Sequence, residues 1–499
     1  MMFSAASRAQ TPPAHWRIAA GLLAGGMMPF AFSPYDQAWL VIPSLALFFW
    51  LVQRGNPVQA GFSFGLGWFG FGAWWLAPTL HTYGHLPWIV AGLCVLLVGC
   101  VMAMLPVIWA WMAWRLAGNS PWLMPSFAVA AVFEEWLRGH LFTGLPWTAL
   151  GNVLLSTEAI GWAPWFGVYA LSFLPAFMAA ALVLILQRSN LHWGLSGLAM
   201  ALLLLWTAPG LSPNGTASQQ PEKRVALIQG NIPQDQKWDA AFLNETMQRY
   251  ATLSAGARAD IIIWPEAAVP FFLSRSPAWS AWLSARIRDW QTPLLFGGLK
   301  AFSDGTAQNG LYAEMPATTL AGHPRDFAGK QHLVPFGEYV PEWLPFLHTL
   351  VPEIADFRPA QGSGTLDVDH VRYGALICYE SLFPELARER VLAGAQVLVN
   401  VTNDAWYGQS PAAWQHLQAA RMRAAETGRY VLRAANTGVS AIISPDGEIT
   451  DSIPWWTTTS LQGQYRPSDV ITHYVRWGDW PLLTGLLILL VPLFRRFDH

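Results

Sequence analysis

Apolar positions fill the first 210 residues almost without a break, and after them the pattern changes character. Between Arg54 and Arg115 there is no Asp, Glu, Lys or Arg. A run of that length holds two membrane-crossing helices of about 20 residues each. His81–Thr82–Tyr83–Gly84–His85 supplies the turn between them. The same reading predicts spans near 17–34, 38–53, 58–79, 87–114, 122–140, 160–187 and 191–209. A last, shorter apolar run, Trp480–Phe494, follows much later and extends back over Trp477. Residues 211–222 (LSPNGTASQQPE) read as a polar linker. Beyond it, short apolar runs suited to burial on both faces alternate with helical patterns, which is the signature of an α/β fold. Strands are predicted over 224–232, 259–266, 293–299, 308–315, 371–377, 396–402, 429–435 and 439–444. Helices are predicted over 239–253, 278–290, 383–393 and 411–427. The expected organisation is a membrane domain of seven transmembrane helices (1–210), the linker (211–222), an α/β domain (223–472), and a C-terminal transmembrane helix with its tail (473–499).

Charge sharpens this division. Only 12% of the chain is charged, against about 25% in soluble proteins. The first 210 residues hold six basic side chains (Arg8, Arg17, Arg54, Arg115, Arg138, Arg188) and four acidic ones (Asp36, Glu134, Glu135, Glu158). That excludes a single soluble fold, and equally a disordered, collagen-like or coiled-coil chain. A net charge of −2 gives no nucleic-acid signal. Three cysteines are too few for a disulfide scaffold. The first span does not read as a cleaved signal peptide, since more spans follow it. Arg8 and Arg17 precede span one, Arg54, Arg115 and Arg188 fall in alternate loops, and Arg495–Arg496 follow span eight. The positive-inside rule then predicts an inner-membrane protein with both termini cytoplasmic and the α/β domain outside, in a bacterial periplasm or its equivalent. Glu134, Glu135 and Arg138 read either as a polar site for a lipid head group or as an interfacial ion pair at helical spacing.

Three residues of the α/β part carry candidate chemistry. Cys378 sits where a buried strand gives way to a helix, a junction whose backbone N–H groups and dipole favour a thiolate. Glu266 ends another buried strand, and ligands of α/β sheets gather at the carboxyl ends of strands. A carboxylate there can accept a thiol proton. Lys330 opens the run Lys330–Gln331–His332–Leu333–Val334–Pro335–Phe336–Gly337–Glu338, and a lysine beside a thiol could hold a tetrahedral oxyanion. Each residue alone also admits a structural reading: a buried cysteine, a capping glutamate, a solvated lysine. The histidines His323, His332, His348, His370 and His416 lack the short spacing of a zinc motif, and no cofactor is called for.

Taken together, Trp264–Pro265–Glu266, Lys330 with its following run, and Ile377–Cys378–Tyr379–Glu380 resemble the nitrilase superfamily in content and order. With the apolar spans, and with Gln229–Gly230–Asn231–Ile232–Pro233–Gln234, Lys237–Trp238 and Asn403–Asp404–Ala405–Trp406, the chain resembles that superfamily's membrane-anchored branch, the apolipoprotein N-acyltransferases. The resemblance implies a four-layer α-β-β-α sandwich. It implies ping-pong transfer of a fatty acyl group from a phospholipid to Cys378, and then to the α-amine of an S-diacylglyceryl cysteine at an apolipoprotein N-terminus. Glu266 would be the general base and Lys330 the oxyanion holder, with Glu338 supporting them. Trp238, Tyr379 and Glu380 would belong to the site, though Trp238 and Tyr379 read equally well as packing.

The chemistry suits a lipid donor. Thiolate is both nucleophile and leaving group, and the thioester must be shielded from water. Moving an acyl chain through water costs about 0.8 kcal/mol per CH₂, on the order of 12 kcal/mol for sixteen carbons. The site should therefore be reached from the bilayer. Val269–Pro270–Phe271–Phe272–Leu273 and Pro341–Glu342–Trp343–Leu344–Pro345–Phe346–Leu347 are too apolar for ordinary exposed loops. They are candidates to line an acyl groove or enter the outer leaflet, or else form satellite hydrophobic clusters. Trp406, Tyr407 and Trp414 are further candidates at the pocket border, with core packing the simpler reading. Two rivals remain at this stage: a membrane-tethered amidohydrolase that gives the thioester to water, and a non-enzymatic scaffold with a binding module. A monomer is expected.

Overall fold

The computed structural model describes residues 13–117, 120, 122–188, 190–208, 220–316, 325–340 and 357–495. The chain divides into two compact units. One comprises Met1–Ala159, Val168–Gly210 and Asp479–His499, the other Ile160–Gly167 and Leu211–Gly478.

The first unit is helical. Helices cover Ala14–Met27, Val41–Arg54, Pro57–Gly65, Trp88–Ala117, Leu123–His140, Phe173–Gln187, Leu191–Thr207 and Trp480–Arg495. Helix therefore falls at each expected span, yet length and apolarity together are met by few. Trp88–Ala117 is long and apolar enough to cross a membrane, and Glu158–Leu171 with Phe173–Gln187 adds a second if that bent pair is one span. Ile89, Leu93, Leu97 and Val101 stand exposed along Trp88–Ala117, as on a helix surrounded by an apolar medium. The other helices are shortened for local reasons. The expected span 58–79 breaks into a π turn at Leu66–Gly70. There the chain passes so close to the first helix that a Cβ on Gly67 would lie 2.4 Å from the Leu22 carbonyl oxygen, the small-residue contact that lets helices meet at backbone distance. The last apolar run does not continue back over Trp477, because Gly478 turns left-handed (φ 56°) between them. Glu134, Glu135 and Arg138 are buried within the helical unit. Arg138 bonds Glu135 at 2.7 Å and donates to the Trp147 carbonyl at 2.6 Å, a self-contained ion pair with helical spacing.

The second unit is the α/β fold. Its strands are β1 (Lys223–Gln229), β2 (Ile261–Ile263), β3 (Val269–Phe272), β4 (Leu294–Ala301), β5 (Ala307–Glu314), β6 (Asp326–Gly329), β7 (Thr365–Val368), β8 (Val371–Ile377), β9 (Val397–Thr402), β10 (Val431–Ala435), β11 (Ser440–Ile443), β12 (Ile449–Ile453) and β13 (Thr459–Tyr465). Among the described residues they form two sheets, ordered β13-β1-β2-β4-β5-β6, with β3 beside β4, and β12-β11-β10-β9-β8-β7. The period-2 alternation of a strand explains the layering. In β1, Val225 and Leu227 enter one hydrophobic core together with Ile377, Val399 and Leu432 of the other sheet. Ala226 and Ile228 enter a second core with Met247, Tyr250, Leu283 and Ile287 of helices Leu243–Ser254 and Pro277–Trp290. Helices Pro384–Leu392 and Pro411–Thr427 pack on β8 and β10 at the outside of the second sheet. The result is the expected α-β-β-α sandwich.

β1, β2 and β4 run parallel, as do β8, β9 and β10. Two antiparallel pairings, β4 with β5 and β5 with β6, return β6 to the direction of β4. The carboxyl ends of these strands are where sequence reasoning expected chemistry. The segment after Glu266, expected to be an apolar loop, is instead β3, hydrogen-bonded beside β4.

Candidate active site

Each expected catalytic side chain follows directly on a strand or its short extension. Glu266 comes three residues after β2, Lys330 follows β6, and Cys378 follows β8. Two of the turns are sharp. Cys378 and Ala267 both lie in the left-handed region, at φ 51° and 47°, a conformation that a side chain adopts only when its surroundings enforce it. Gly297 of β4 makes room for the second turn. A Cβ there would lie 2.6 Å from the Glu266 Cα, so the bend at Glu266 closes only over a glycine.

The Glu266 carboxylate is held on both oxygens. One accepts from Asn309 Nδ2 at 2.7 Å and the other from the Asn403 backbone N–H at 2.9 Å. Lys330 Nζ stands 3.9 Å from the first of these oxygens and 2.7 Å from Glu338. Glu338 in turn accepts from the Val334 backbone N–H at 2.8 Å. Glu338 thus ties the lysine to the Val334 backbone. Burial works against the Lys330 charge, but the carboxylates of Glu338 and Glu266 outweigh it and keep the ammonium firmly protonated. A second lysine, Lys237, is also buried, and donates to the Glu266 carbonyl oxygen at 2.9 Å. Burial lowers its pKa to about 8, against the pull of Glu266 and Cys378.

The thiol differs from the expectation. The element behind Cys378 is a five-residue 3₁₀ turn, Cys378–Leu382, and not an α-helix. Burial pushes the thiol pKa well up, the Glu266 charge pushes it further, and Lys330 and a hydrogen bond with the Thr402 side chain only partly oppose this. The sulfur therefore rests as a neutral thiol. Such a group needs a base at the moment of attack.

Glu380 joins two of the three segments. Fully buried, it accepts from the Ile377 backbone N–H at 2.8 Å and from the Gln331 and His332 N–H groups at 2.7 and 3.1 Å. One carboxylate thereby ties the strand that delivers Cys378 to the loop that delivers Lys330. Arg390 lies 3.8 Å from it and bonds Gln331 at 2.8 Å. Removing the side chain strands one buried N–H group and two partly buried ones, the buried one worth about 1–3 kcal/mol. We therefore expect Glu380→Ala to lose a few kcal/mol of stability, visible as a lower melting temperature in detergent. An unchanged melting temperature would show that water replaces the carboxylate.

The remaining expected residues are less central. Tyr379 is buried, its ring 5.0 Å from Phe383 and 5.8 Å from His332. Trp238 and Trp406 are 48% and 41% exposed. Phe271 packs on Trp279, and Phe272 lies under the Arg275 guanidinium at 4.9 Å. Trp343 and Phe346 lie outside the described residues. Sequence reasoning passed over Asn309, which also reaches Glu338 at 3.4 Å. It is a buried amide near the start of β5.

The chain is similar to known proteins over most of its length. Residues 224–472 match the sequence model of the carbon-nitrogen hydrolase family, and residues 24–181 match that of the apolipoprotein N-acyltransferase N-terminal domain. Among curated relatives, the apolipoprotein N-acyltransferase of Geobacter metallireducens is 35% identical, over 92% of this chain and 91% of its own. That of Nitrosomonas europaea is 35% identical over 95% and 97%, and that of Methylococcus capsulatus 37% over 93% and 92%.

Proposed function

The chain belongs to the apolipoprotein N-acyltransferase family, and from that membership we propose that Cys378 carries the acyl group between a phospholipid and a lipoprotein amine. The enzyme is an acyltransferase of lipoprotein maturation. In the first step Glu266 takes the Cys378 proton as the sulfur attacks the ester carbonyl. Lys330 stabilises the oxyanion, and Glu266 returns the proton to the departing lysophospholipid oxygen. A thioester remains. In the second step the α-amine of a diacylglyceryl cysteine attacks the thioester, the amide forms, and the thiol is restored. The unperturbed α-amine has a pKa of about 7.7–8.0, so little deprotonation is asked of the site. An amide is more stable than a thioester, so this step runs downhill.

The observation that supports the reading most is the approach of Lys330 to Glu266, 3.9 Å, beside a buried thiol whose charge both of them influence. Loop charges support a topology of eight spans with both termini cytoplasmic and the catalytic domain periplasmic. For the acyl chain, Phe271, Phe272, Trp343 and Phe346 supply an apolar lining. Replacing Trp343 and Phe346 together by Ser should raise the apparent KM for phospholipid several-fold while leaving the melting temperature in place. An unchanged KM in that variant removes these residues from the donor site.

The assay that separates transfer from the rival amidohydrolase chemistry supplies an acyl-labelled phospholipid and a diacylglyceryl peptide together. Label in the peptide amide supports acyl transfer. Label released only as free fatty acid contradicts it.

A further inference from the structure

Behind the nucleophile lies a fully buried polar chain that the mechanism above does not use. It begins at His416, in the middle of helix Pro411–Thr427, with no exposed surface. Its Nε2 faces the Cys378 main-chain oxygen at 2.9 Å, and its Nδ1 faces Asp404 Oδ1 at 2.9 Å. Asp404, also buried, takes a further bond from the Thr402 hydroxyl at 2.7 Å and is paired through its other oxygen with Arg433. Arg433 in turn bonds Asn400, and Asn400 donates to the Leu376 carbonyl at 2.8 Å. The chain thus begins and ends on the backbone that carries Cys378.

Both ring nitrogens face oxygen acceptors. A neutral imidazole carries one N–H, so one of these contacts would set a lone pair against a lone pair. The tautomer in which Nδ1 accepts from Arg433 Nη2 does not escape this, since Arg433 is 3.4 Å away while the Asp404 oxygen is at 2.9 Å. Only the doubly protonated ring satisfies both oxygens. The charged and titratable groups around it fit that state. Asp404 is held below the ordinary carboxylate range by His416 and Arg433, although burial opposes its charge. Tyr407 stands edge-on, 6.5 Å between ring centroids. On the same helix Arg423 is turned to the Leu382 carbonyl, and Glu380 of the nucleophile turn is turned to Ile377 and Gln331.

We propose that His416 is the positioning residue of the nucleophile: a doubly protonated imidazole, pinned by Asp404, that fixes the left-handed turn at Cys378 through its main-chain carbonyl. The inference rests on Cys378 being the acyl carrier. Alkylation by iodoacetamide, read on the Cys378 peptide of the full-length enzyme in detergent, tests it without requiring acyl transfer. In His416→Gln one side-chain amide replaces two ring nitrogens and cannot hold the Cys378 carbonyl and Asp404 together. We expect a folded variant with a lowered melting temperature and a KM for a dipalmitoyl phospholipid near wild type. Its acylation and alkylation rates at pH 7 should both fall about 10- to 100-fold, as for a displaced reacting group, with His416→Ala slower still. Wild-type rates for both reactions in a folded His416→Gln overturn the proposal. Slow alkylation together with a wild-type enzyme that forms no acyl adduct would uphold the role of His416 and contradict the acyl-carrier reading instead. If neither variant folds, ¹⁵N spectra of the histidine-labelled wild type decide. One ring with both nitrogens protonated and slow exchange in D₂O is expected, and a bare ring nitrogen in every histidine overturns the proposal.

Discussion

Glu266→Gln should form the acyl-enzyme about a hundred- to ten-thousandfold more slowly than wild type, with phospholipid binding unchanged. The size of the effect follows from the state of the sulfur. Burial and the Glu266 charge hold the Cys378 thiol pKa far above its ordinary 9.0. At neutral pH almost no thiolate exists to attack, so a base beside it carries the reaction. Glutamine keeps the shape of the side chain. It can still accept from Asn309, but its amide then faces the Asn403 N–H, which had a carboxylate oxygen at 2.9 Å. That mismatch costs about 1–3 kcal/mol of stability and is read separately as a melting temperature. The variant also has a diagnostic pH response. Without its base, acylation tracks the thiolate fraction, which grows about tenfold per pH unit while pH remains below the thiol pKa. A raised folded-state pKa extends that rise through pH 9. A single-turnover rate within tenfold of wild type, or a flat pH profile, would remove Glu266 from the role of base.

The second large effect is expected at Lys330. Lys330→Met should lower acylation by about a hundred- to a thousandfold, the scale of losing one donor to an oxyanion. It should also destabilise the fold. The lysine is buried and pairs at 2.7 Å with Glu338 and at 3.9 Å with Glu266. Removing one partner of a buried ion pair costs about 3–5 kcal/mol because the other charge is left uncompensated. The two consequences can be separated. Adding Glu338→Gln removes one stranded carboxylate, so the double variant should regain much of the melting temperature. It should regain none of the rate. Recovery of the rate with the stability would mean that Lys330 only holds the loop together.

How much of this was legible in the sequence depends on what each residue touches. Strands β1, β2, β8, β9 and β10 are apolar on successive residues because both their faces are covered, and such runs declare themselves. β12 and β13 do not. Their exposed, polar residues read as loop, yet β13 pairs with β1 along its whole length from Lys223 to Gln229. Val269–Phe272 looked like an apolar loop because its partner, β4, is brought beside it only by the fold. The helical unit was legible in position but not in length, since turns such as Leu66–Gly70 and Gly478 answer to packing. At the site, Glu266 and Cys378 announced themselves by standing at strand ends, and Lys330 by the family pattern. Asn309 and His416 could not. Their meaning lies in partners 43 and 38 residues distant, Glu266 and the Cys378 carbonyl. The state of the thiol was misjudged for the same reason. Sequence shows the turn behind Cys378, whereas its desolvation is supplied by residues elsewhere in the chain.

Intact mass spectrometry of the enzyme after incubation with phospholipid alone tests the central claim most directly. The wild type should gain the mass of one fatty acyl group, removable by hydroxylamine as a thioester is. Cys378→Ala should gain none and should acylate no peptide. An adduct that persists in Cys378→Ala, or lipoprotein acylation at the normal rate without that sulfur, would contradict the account.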